Sequence, residues 1–280
     1  MDMWLGGLFC LFLGMGLMMA ASEALPPLHI DNKWQGAGLG CGITALLQSS
    51  SAVSCSVCAM VQNGTLPLHA AYAVLIGSNV GTCVTPFLTA LGLRVGGLSY
   101  LFALIGILAL LLKDKFPRLS LPVAGFCLLM WGMHIMTAES ALFEAVASHV
   151  TWLSTPLGAW AVGLLSTALL QSSSLTMGLL QVYALTTPLT MNIALPFILG
   201  QNIGTTATAL LATISATPVA RKCALYHVKF NVIGTLWALP LSLLCGEWLS
   251  FAATPMALAL AQLLFNVICA LLHLFTERLQ

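Results

Sequence analysis

The sequence predicts an all-α polytopic membrane protein built from two repeats. Hydrophobic residues make up 59% of the 280 positions and charged residues only 6%, whereas a soluble domain carries roughly a quarter charged residues. Apolar runs of about 20 residues fit helices that span a bilayer. The stretch Thr-Ala-Leu-Leu-Gln-Ser-Ser-Ser at 44–51 recurs letter for letter at 167–174, 123 residues later. We therefore expect a duplicated, multi-pass protein of the plasma (inner) membrane.

The first repeat is predicted at 1–118. Its opening helix is expected to be retained rather than cleaved as a signal peptide, because the N-terminus carries Asp2 and no Lys or Arg. A charged loop at 113–118 closes the repeat. The apolar segments are predicted at 3–25, 36–61, 67–93 and 96–112.

The second repeat is predicted at 119–245 and follows the same order. A less hydrophobic connector at 139–152 separates its opening helix from the rest, and the remainder, 246–280, is predicted to hold one further transmembrane helix. No soluble domain is expected before or after the membrane part. The apolar segments are predicted at 121–137, 157–183, 188–214, 221–244 and 255–275.

Each repeat carries two polar clusters in apolar surroundings. The first is Gln-Ser-Ser-Ser, and the second is Gly-x-Asn-x-Gly-Thr, which lies 31 residues further on in both halves. Successive helical residues point about 100° apart, so three serines in a row cannot face one partner. Unsatisfied polar groups in hydrocarbon cost several kcal/mol each, so irregular backbone occurs there only where it lines protein or water.

The predicted consequence is a backbone break within each Gln-Ser-Ser-Ser stretch. The 26 residues of 36–61 suit a re-entrant helical hairpin, and a hairpin that does not cross would give two inverted repeats. Gly77, Gly81, Gly200 and Gly204 are expected to unwind a second, broken helix in each half. A single such cluster would favour a tight helix crossing between small residues, but the duplicated pairing favours a binding site.

Broken helices at matching positions of two halves are typical of a secondary transporter's midplane site. The N–H groups of a helix end attract an anion and its carbonyls attract a cation. Neither cluster contains Lys or Arg, so an anion bound there must be met by N–H groups, hydroxyls and co-bound cations.

The doubled motifs, together with Ala220-Arg-Lys-Cys-Ala224 leading to His227 and Phe230-Asn231, and the late Phe265-Asn266, resemble the type II sodium–phosphate cotransporter family. The resemblance covers nearly the whole chain. It implies a sodium-coupled secondary transporter of inorganic phosphate, with sodium as the coupling ion, no other cofactor, and alternating access at the interface of the two repeats.

The resemblance also implies a set of site residues. Substrate and ions would be bound by Gln48, Ser49, Ser50, Ser51, Asn79, Gly81, Thr82, Gln171, Ser172, Ser173, Ser174, Asn202, Gly204, Thr205 and Thr206. Secondary candidates are Thr44, Thr167, Asn231 and Asn266. Sodium would be held through Gln48, Ser50, Gln171 and Ser173.

Three departures from the family pattern leave ion stoichiometry and regulation open. Cys83 stands where the second copy has Thr206, and Gln262 stands where relatives often have His. The PhoU-type helical domain that follows many bacterial members is missing from this sequence.

Energetics bear on the direction of transport. An inside-negative potential of ~100 mV opposes entry of two negative charges by about 4.6 kcal/mol, at about 2.3 kcal/mol per charge. Uptake therefore requires coupled ions, whereas export could run without them. The main alternative is a sodium-independent exporter or exchanger of phosphate, or a transporter of another oxyanion such as arsenate. Oligomeric state is also open, with a homodimer as one option.

Other classes fit the sequence less well. A serine hydrolase needs one nucleophile rather than two equal clusters, and no Gly-x-Ser-x-Gly is present. A scaffold or sensor would not need the duplicated clusters. A basic stripe is absent, which argues against nucleic-acid binding, and the nine scattered cysteines lack the spacing of a zinc site. Arg221 and Lys222 are read as interface anchors, and His134 and His227 as intramembrane histidines with satisfied hydrogen bonds rather than proton carriers.

Overall fold

The computed structural model describes residues 30–94, 96–138 and 154–276, with scattered residues between 5 and 17. The predicted first helix at 3–25 lies largely outside the described residues, and the connector at 139–152 lies wholly outside them. The helices within these ranges are α1 (Lys33–Leu47), α2 (Ser50–Gln62), α3 (Leu68–Gly81), α4 (Val84–Arg94), α5 (Gly96–Leu111), α6 (Pro117–Ala138), α7 (Pro156–Leu170), α8 (Ser173–Thr186), α9 (Met191–Gly204), α10 (Ala207–Ala212), α11 (Pro218–Leu244) and α12 (Pro255–Thr276).

The prediction of an all-α membrane protein is confirmed. Three stretches are long and apolar enough to cross a membrane: Leu68–Leu93, which is α3 with α4, Met191–Ala212, which is α9 with α10, and Pro255–Thr276. Across the described part of the chain there is no β-strand, and a single antiparallel bridge joins Thr190 to Ala252.

The helix is interrupted within each Gln-Ser-Ser-Ser stretch. α1 ends at Leu47, and Gln48 takes the left-handed conformation with φ 55° and ψ 24° before α2 begins. Gln171, between α7 and α8, has φ 53° and ψ 24°. These are the two non-glycine residues with positive φ in the described ranges. The interruption lies where the sequence predicts it, while re-entry into the membrane and inverted insertion stay predictions.

The glycines of the second cluster lie inside helices and allow close packing. A Cβ at Gly77 of α3 would lie 1.8 Å from the carbonyl oxygen of Ala37 on α1, and one at Gly200 of α9 would lie 2.0 Å from that of Trp160 on α7. A Cβ at Gly81 or Gly204 would likewise lie within 2.5 Å of an α1 or α7 carbonyl. The expectation that glycines unwind the helix is wrong for Gly77 and Gly200, which lie inside α3 and α9, whereas Gly81 and Gly204 are the last residues of these two helices.

The helices do end directly after these glycines, but the interruption is slight. Thr82 keeps right-handed helical angles of φ −59° and ψ −25°, and its N–H still bonds to the Ser78 carbonyl at 3.1 Å. Thr205, with φ −58° and ψ −28°, does the same with Gln201 at 3.0 Å. The backbone direction is therefore nearly maintained through each second cluster.

The two halves meet in a shared core. Ile76 of α3 and Leu199 of α9, which occupy matching positions of the repeat, pack with Phe230 of α11 and Phe265 of α12. In the second half, α8 packs against α6 through Leu175 and Met133. This packing brings the polar clusters of both halves toward one another.

Candidate functional site

The two Gln-Ser-Ser-Ser motifs are in direct contact. Ser51, in the first turn of α2, donates its hydroxyl to the carbonyl oxygen of Gln171 at 3.0 Å. The residue that breaks the helix of the second half is therefore held by a serine of the first half. Because hydrogen-bond contact requires such distances, residues 120 positions apart in sequence share one site.

Two chains of hydrogen bonds, each with one serine and one threonine, cross between the halves. In one, Thr208 donates to Ser51 at 3.3 Å, and Ser51 donates to the Gln171 carbonyl. In the other, Ser174 donates to Thr85 at 3.5 Å, and Thr85 donates to Gln48 Oε1 at 2.7 Å. Ser51 and Ser174 are equivalent positions of the repeat, and so are Thr85 and Thr208. Each half thus contributes hydroxyls to the motif of the other.

Sequence reasoning missed Thr85 and Thr208. The signal was available, because each lies three residues after the threonine of a Gly-Thr pair, as Gly81-Thr82-x-x-Thr85 and Gly204-Thr205-x-x-Thr208. Extending the second cluster by one helical turn in both halves would have found them, since residues three to four apart share a helix face.

Each motif starts a helix whose first N–H groups are only partly used. Ser49 caps α2, since its hydroxyl accepts from Ala52 N–H at 3.2 Å and its carbonyl from Val53 N–H at 3.2 Å. The N–H groups of Ser50 and Ser51 have no partner among the described residues. Ser172 caps α8 in the same way, through Leu175 and Thr176 N–H, both at 3.2 Å, and leaves those of Ser173 and Ser174. Helix N-termini with free N–H groups bind anions.

The side chains of the two glutamines differ in their partners. Gln48 accepts from Thr85 and donates to the Ala45 carbonyl. The Gln171 side chain has no hydrogen-bond partner among the described residues. The hydroxyls of Ser50 and Ser173, both buried at 5% and 6% exposure, likewise have no partner there. Of the four residues predicted to hold sodium, three therefore have free oxygens and one is engaged.

Asn79 and Asn202 occupy equivalent positions in α3 and α9 and are both buried. Each donates from Nδ2 to the carbonyl four residues earlier, Asn79 to Leu75 at 2.9 Å and Asn202 to Ile198 at 2.8 Å. Asn79 makes one further contact, with Nε2 of His227 at 3.1 Å. In both residues the amide oxygen accepts no hydrogen bond from the described part of the chain.

The side-chain hydrogen bonds of the predicted threonines do not reach the Gln-Ser-Ser-Ser motifs. Thr82, Thr205 and Thr206 each bond a carbonyl of their own helix, at 2.9, 3.0 and 2.7 Å. Thr44 donates to Ser78 at 2.9 Å, and Thr167 bonds Thr176 at 2.9 Å. These contacts hold the helices together around the site, as do the close approaches at Gly81 and Gly204.

Several buried amide oxygens near the two halves' shared core have no partner in the described residues. They belong to Gln201, Asn231, Gln262 and Asn266. Asn231 donates to the His227 carbonyl at 3.1 Å, and Asn266 donates to Cys83 Sγ at 3.3 Å. Gln201, which sequence reasoning did not select, donates to the Ser173 carbonyl at 2.6 Å. Its signal was its place directly before Asn202, where the first half has Ser78.

Neither Gln-Ser-Ser-Ser motif has a hydrogen bond to Arg221 or Lys222. Arg221 and Lys222 at the start of α11 are exposed, and Arg221 Nε donates to the Thr213 carbonyl at 3.3 Å, which fits an anchoring role. The described residues hold no cluster of three His, Cys, Asp or Glu suited to a metal ion. The site is therefore built from hydroxyls, amides and backbone groups.

Comparison with known proteins places the chain. The family model described as Na+/Pi-cotransporter matches residues 11–138 and 141–272. The chain belongs to the Na+/Pi-cotransporter family. This is a family of transporters.

This chain aligns with different fractions of the length of its relatives. It is 30% identical over 244 residues to the uncharacterized protein YqeW of Bacillus subtilis, covering 82% of this chain and 77% of that relative. It is 28% identical to the putative inorganic phosphate export protein YjbB of Escherichia coli, over 78% of this chain and 41% of the relative. It is 33% identical to the sodium-dependent phosphate transport protein 2C of Homo sapiens, over 45% of this chain and 21% of the relative. No solved structure matches this chain.

Proposed function

We propose that this protein is a sodium-coupled secondary transporter of inorganic phosphate, whose substrate and ions bind where the two Gln-Ser-Ser-Ser motifs meet. The repeats 1–118 and 119–245 would each supply one motif, and 246–280 would add α12 beside them. The observation that carries the proposal is the pair of capped helix N-termini, α2 and α8, joined by the contact of Ser51 with Gln171 at 3.0 Å.

The anion would be bound by the free N–H groups of the first turns of α2 and α8, at Ser50, Ser51, Ser173 and Ser174. Each helix N-terminus carries a partial positive charge of about half an elementary charge. A phosphate dianion offers acceptor oxygens in several directions, so donors from two helices suit it. With no Lys or Arg in either motif, the rest of its charge must be balanced by co-bound cations.

The cations would be bound by oxygens at the same helix breaks. Hard cations such as sodium prefer carbonyl, amide and hydroxyl oxygens. The oxygens of the Gln171 amide and of the Ser50 and Ser173 hydroxyls have no hydrogen-bond partner among the described residues. The last carbonyls of α1 and α7 lie next to Gln48 and Gln171 in the chain. Gln48 would join this set only by giving up its bond from Thr85.

Alternating access would use the weak hydrogen bonds between the two motifs. The contacts between the motifs are neutral hydrogen bonds, each worth about 1 kcal/mol net, so they can break and re-form during a cycle. If the stretches around Gln48 and Gln171 re-enter the membrane from opposite sides, as the sequence predicts, the crossing hydroxyl chains would lie between two access routes.

A second candidate is phosphate export. It is favoured by the relative named as a putative inorganic phosphate export protein, whose match covers 78% of this chain. Export of a dianion down an inside-negative potential needs no coupled sodium. The site geometry is compatible with both directions.

Radiolabelled phosphate flux in proteoliposomes tests the proposal. Uptake is measured under an imposed sodium gradient, with a potassium gradient as control, for the native protein and Gln171→Ala. We expect uptake that requires sodium and is lost in the variant. Equal flux in both gradients would favour the exporter, and no phosphate flux in either would overturn the proposal.

A further inference from the structure

The buried histidine of α11 is connected to both polar clusters of the first half. His227 is 1% exposed. Its Nε2 lies 3.1 Å from Nδ2 of Asn79 on α3, and its Nδ1 lies 3.4 Å from Oγ of Ser54 on α2. Ser54 in turn donates to the carbonyl of Ser50 at 2.8 Å. One side chain therefore connects three helices at the edge of the proposed ion site.

The neighbours of His227 determine its tautomer. A backbone carbonyl only accepts, so the atom of Asn79 that faces the Leu75 carbonyl must be the NH₂ group. That group then faces Nε2 as a donor, so Nε2 carries no proton. The Ser54 hydroxyl gives its proton to the Ser50 carbonyl and accepts from Nδ1. His227 is therefore neutral, with its proton on Nδ1.

This arrangement determines which end of the Asn79 amide is free. Both hydrogens of its NH₂ group are engaged, one by the Leu75 carbonyl and one by His227. An amide held through its nitrogen on two sides cannot rotate without losing both bonds. Its oxygen, which accepts nothing from the described residues, remains available to a cation.

The second half has no equivalent of this contact. Asn202 bonds the Ile198 carbonyl of its own helix and no other described residue. The positions equivalent to His227 and Ser54 are Leu104 and Met177, neither of which can hydrogen-bond in this way. The two asparagines share the Gly-x-Asn-x-Gly-Thr motif, but among the described residues only Asn79 has a side-chain bond to another helix.

We propose that His227 is a positioning residue for ion binding: by accepting from Asn79 Nδ2 it directs Asn79 Oδ1 toward a co-transported cation. The proposal rests on the proposed function, because it needs a cation at the first half's motif. In this proposal α11 contributes to the ion site through His227. Asn231 of the same helix does not make the contact with Asn79, because its Nδ2 donates to the His227 carbonyl.

Three substitutions separate positioning from packing. His227→Gln keeps an acceptor that can reach Asn79, whereas His227→Leu keeps bulk and removes the acceptor. His227→Asn is too short to reach Asn79. The matched control is His273→Gln on α12, because His273 is also buried at 6% exposure but bonds the Cys269 carbonyl of its own helix.

The readout is the sodium dependence of phosphate transport in proteoliposomes. We expect His227→Leu and His227→Asn to raise the KM for sodium about fivefold to tenfold, the effect of one lost hydrogen bond, with a smaller change in maximal rate. His227→Gln should restore the KM to within about twofold of native, and His273→Gln should leave it unchanged. In an Asn79→Ala background, His227→Leu should add no further increase in KM.

The outcomes distinguish the two proposals. If the native protein transports phosphate with sodium but His227→Leu has a native KM, or Gln fails to rescue while folding normally, the positioning role is overturned and the proposed function stands. If the native protein shows no sodium dependence, the proposed function fails and the positioning role fails with it. Nitrogen-15 NMR of histidine-labelled protein adds an independent check: a proton on Nε2 of His227 would overturn the geometry.

Discussion

The unequal bonding of Gln48 and Gln171 makes a strong test of the site. The two residues have the same sequence neighbours and nearly the same left-handed backbone angles, with φ 55° and 53°. Replacing either with alanine therefore has the same backbone cost. Only Gln48 also loses side-chain hydrogen bonds, one from Thr85 at 2.7 Å and one to the Ala45 carbonyl.

The expected magnitudes follow from these bonds. Each lost hydrogen bond costs about 1 kcal/mol, with values near 0.6 kcal/mol common inside membranes. Gln48→Ala should therefore lower the free energy of unfolding by about 1–2 kcal/mol, whereas Gln171→Ala should change it by less than about 0.5 kcal/mol. Both variants should lose sodium-driven phosphate uptake, because both lose a predicted cation ligand.

The assay is reversible unfolding of the purified protein in mixed micelles with denaturing detergent, run beside the proteoliposome flux measurement. A matched pair of glutamine-to-glutamate variants would keep the side-chain size at the same positions while replacing the amide with a carboxyl group. Equal losses of stability in the two alanine variants would refute the reasoning, and so would normal transport by Gln171→Ala.

Three further predictions concern the packing around the site. Gly200→Ala should cost about 3 kcal/mol of stability, because its Cβ would lie 2.0 Å from the Trp160 carbonyl oxygen. Gly38→Ala, with nothing within 4 Å of its Cβ, should instead stabilise the protein by roughly 0.5 kcal/mol. Thermal unfolding should therefore show a lower midpoint for the first variant and a higher midpoint for the second. Gln181→Leu should lower stability by about 2–3 kcal/mol in the same measurement, since this buried glutamine donates to the carbonyls of Pro86 and Pro255, on two other helices, at 2.9 and 3.1 Å. An unchanged unfolding midpoint would contradict this. Thr208→Val should lower the free energy of unfolding by about 1 kcal/mol, because the hydrogen bond to Ser51 of α2 is lost. Thr208→Ser should keep this bond, so equal unfolding midpoints for the two variants would count against the crossing chain.

Much of the fold could be predicted from local pattern. The duplicated stretch 44–51 and 167–174 indicated where each helix breaks, because polar residues in an apolar stretch favour irregular backbone. Helix bounds such as Gly96–Leu111 and Pro255–Thr276 lie close to the predicted segments, since runs of apolar residues define them. The family resemblance drawn from the same motifs is confirmed by the match to residues 11–138 and 141–272.

The role of the glycines was not predictable in this way. Gly77 and Gly200 suggest flexibility when read alone, but each lies against a carbonyl of a helix about 40 residues earlier. A glycine that permits unwinding and one that permits close packing have the same sequence. What distinguishes them is the presence of a neighbouring backbone, which is a property of the packed structure.

The sequence by itself determined the class of protein, the two places where the helix breaks and the residue types gathered there. It presented the two motifs as equal, since a repeat gives both copies the same letters. Only the tertiary structure decided which side chains have partners. The Gln48 side chain is bonded, whereas that of Gln171 has no partner among the described residues, and Asn79 has a histidine contact that Asn202 lacks there. The physical reason is that a hydrogen bond depends on a third element being brought within about 3 Å, and α11 approaches the two asparagines differently.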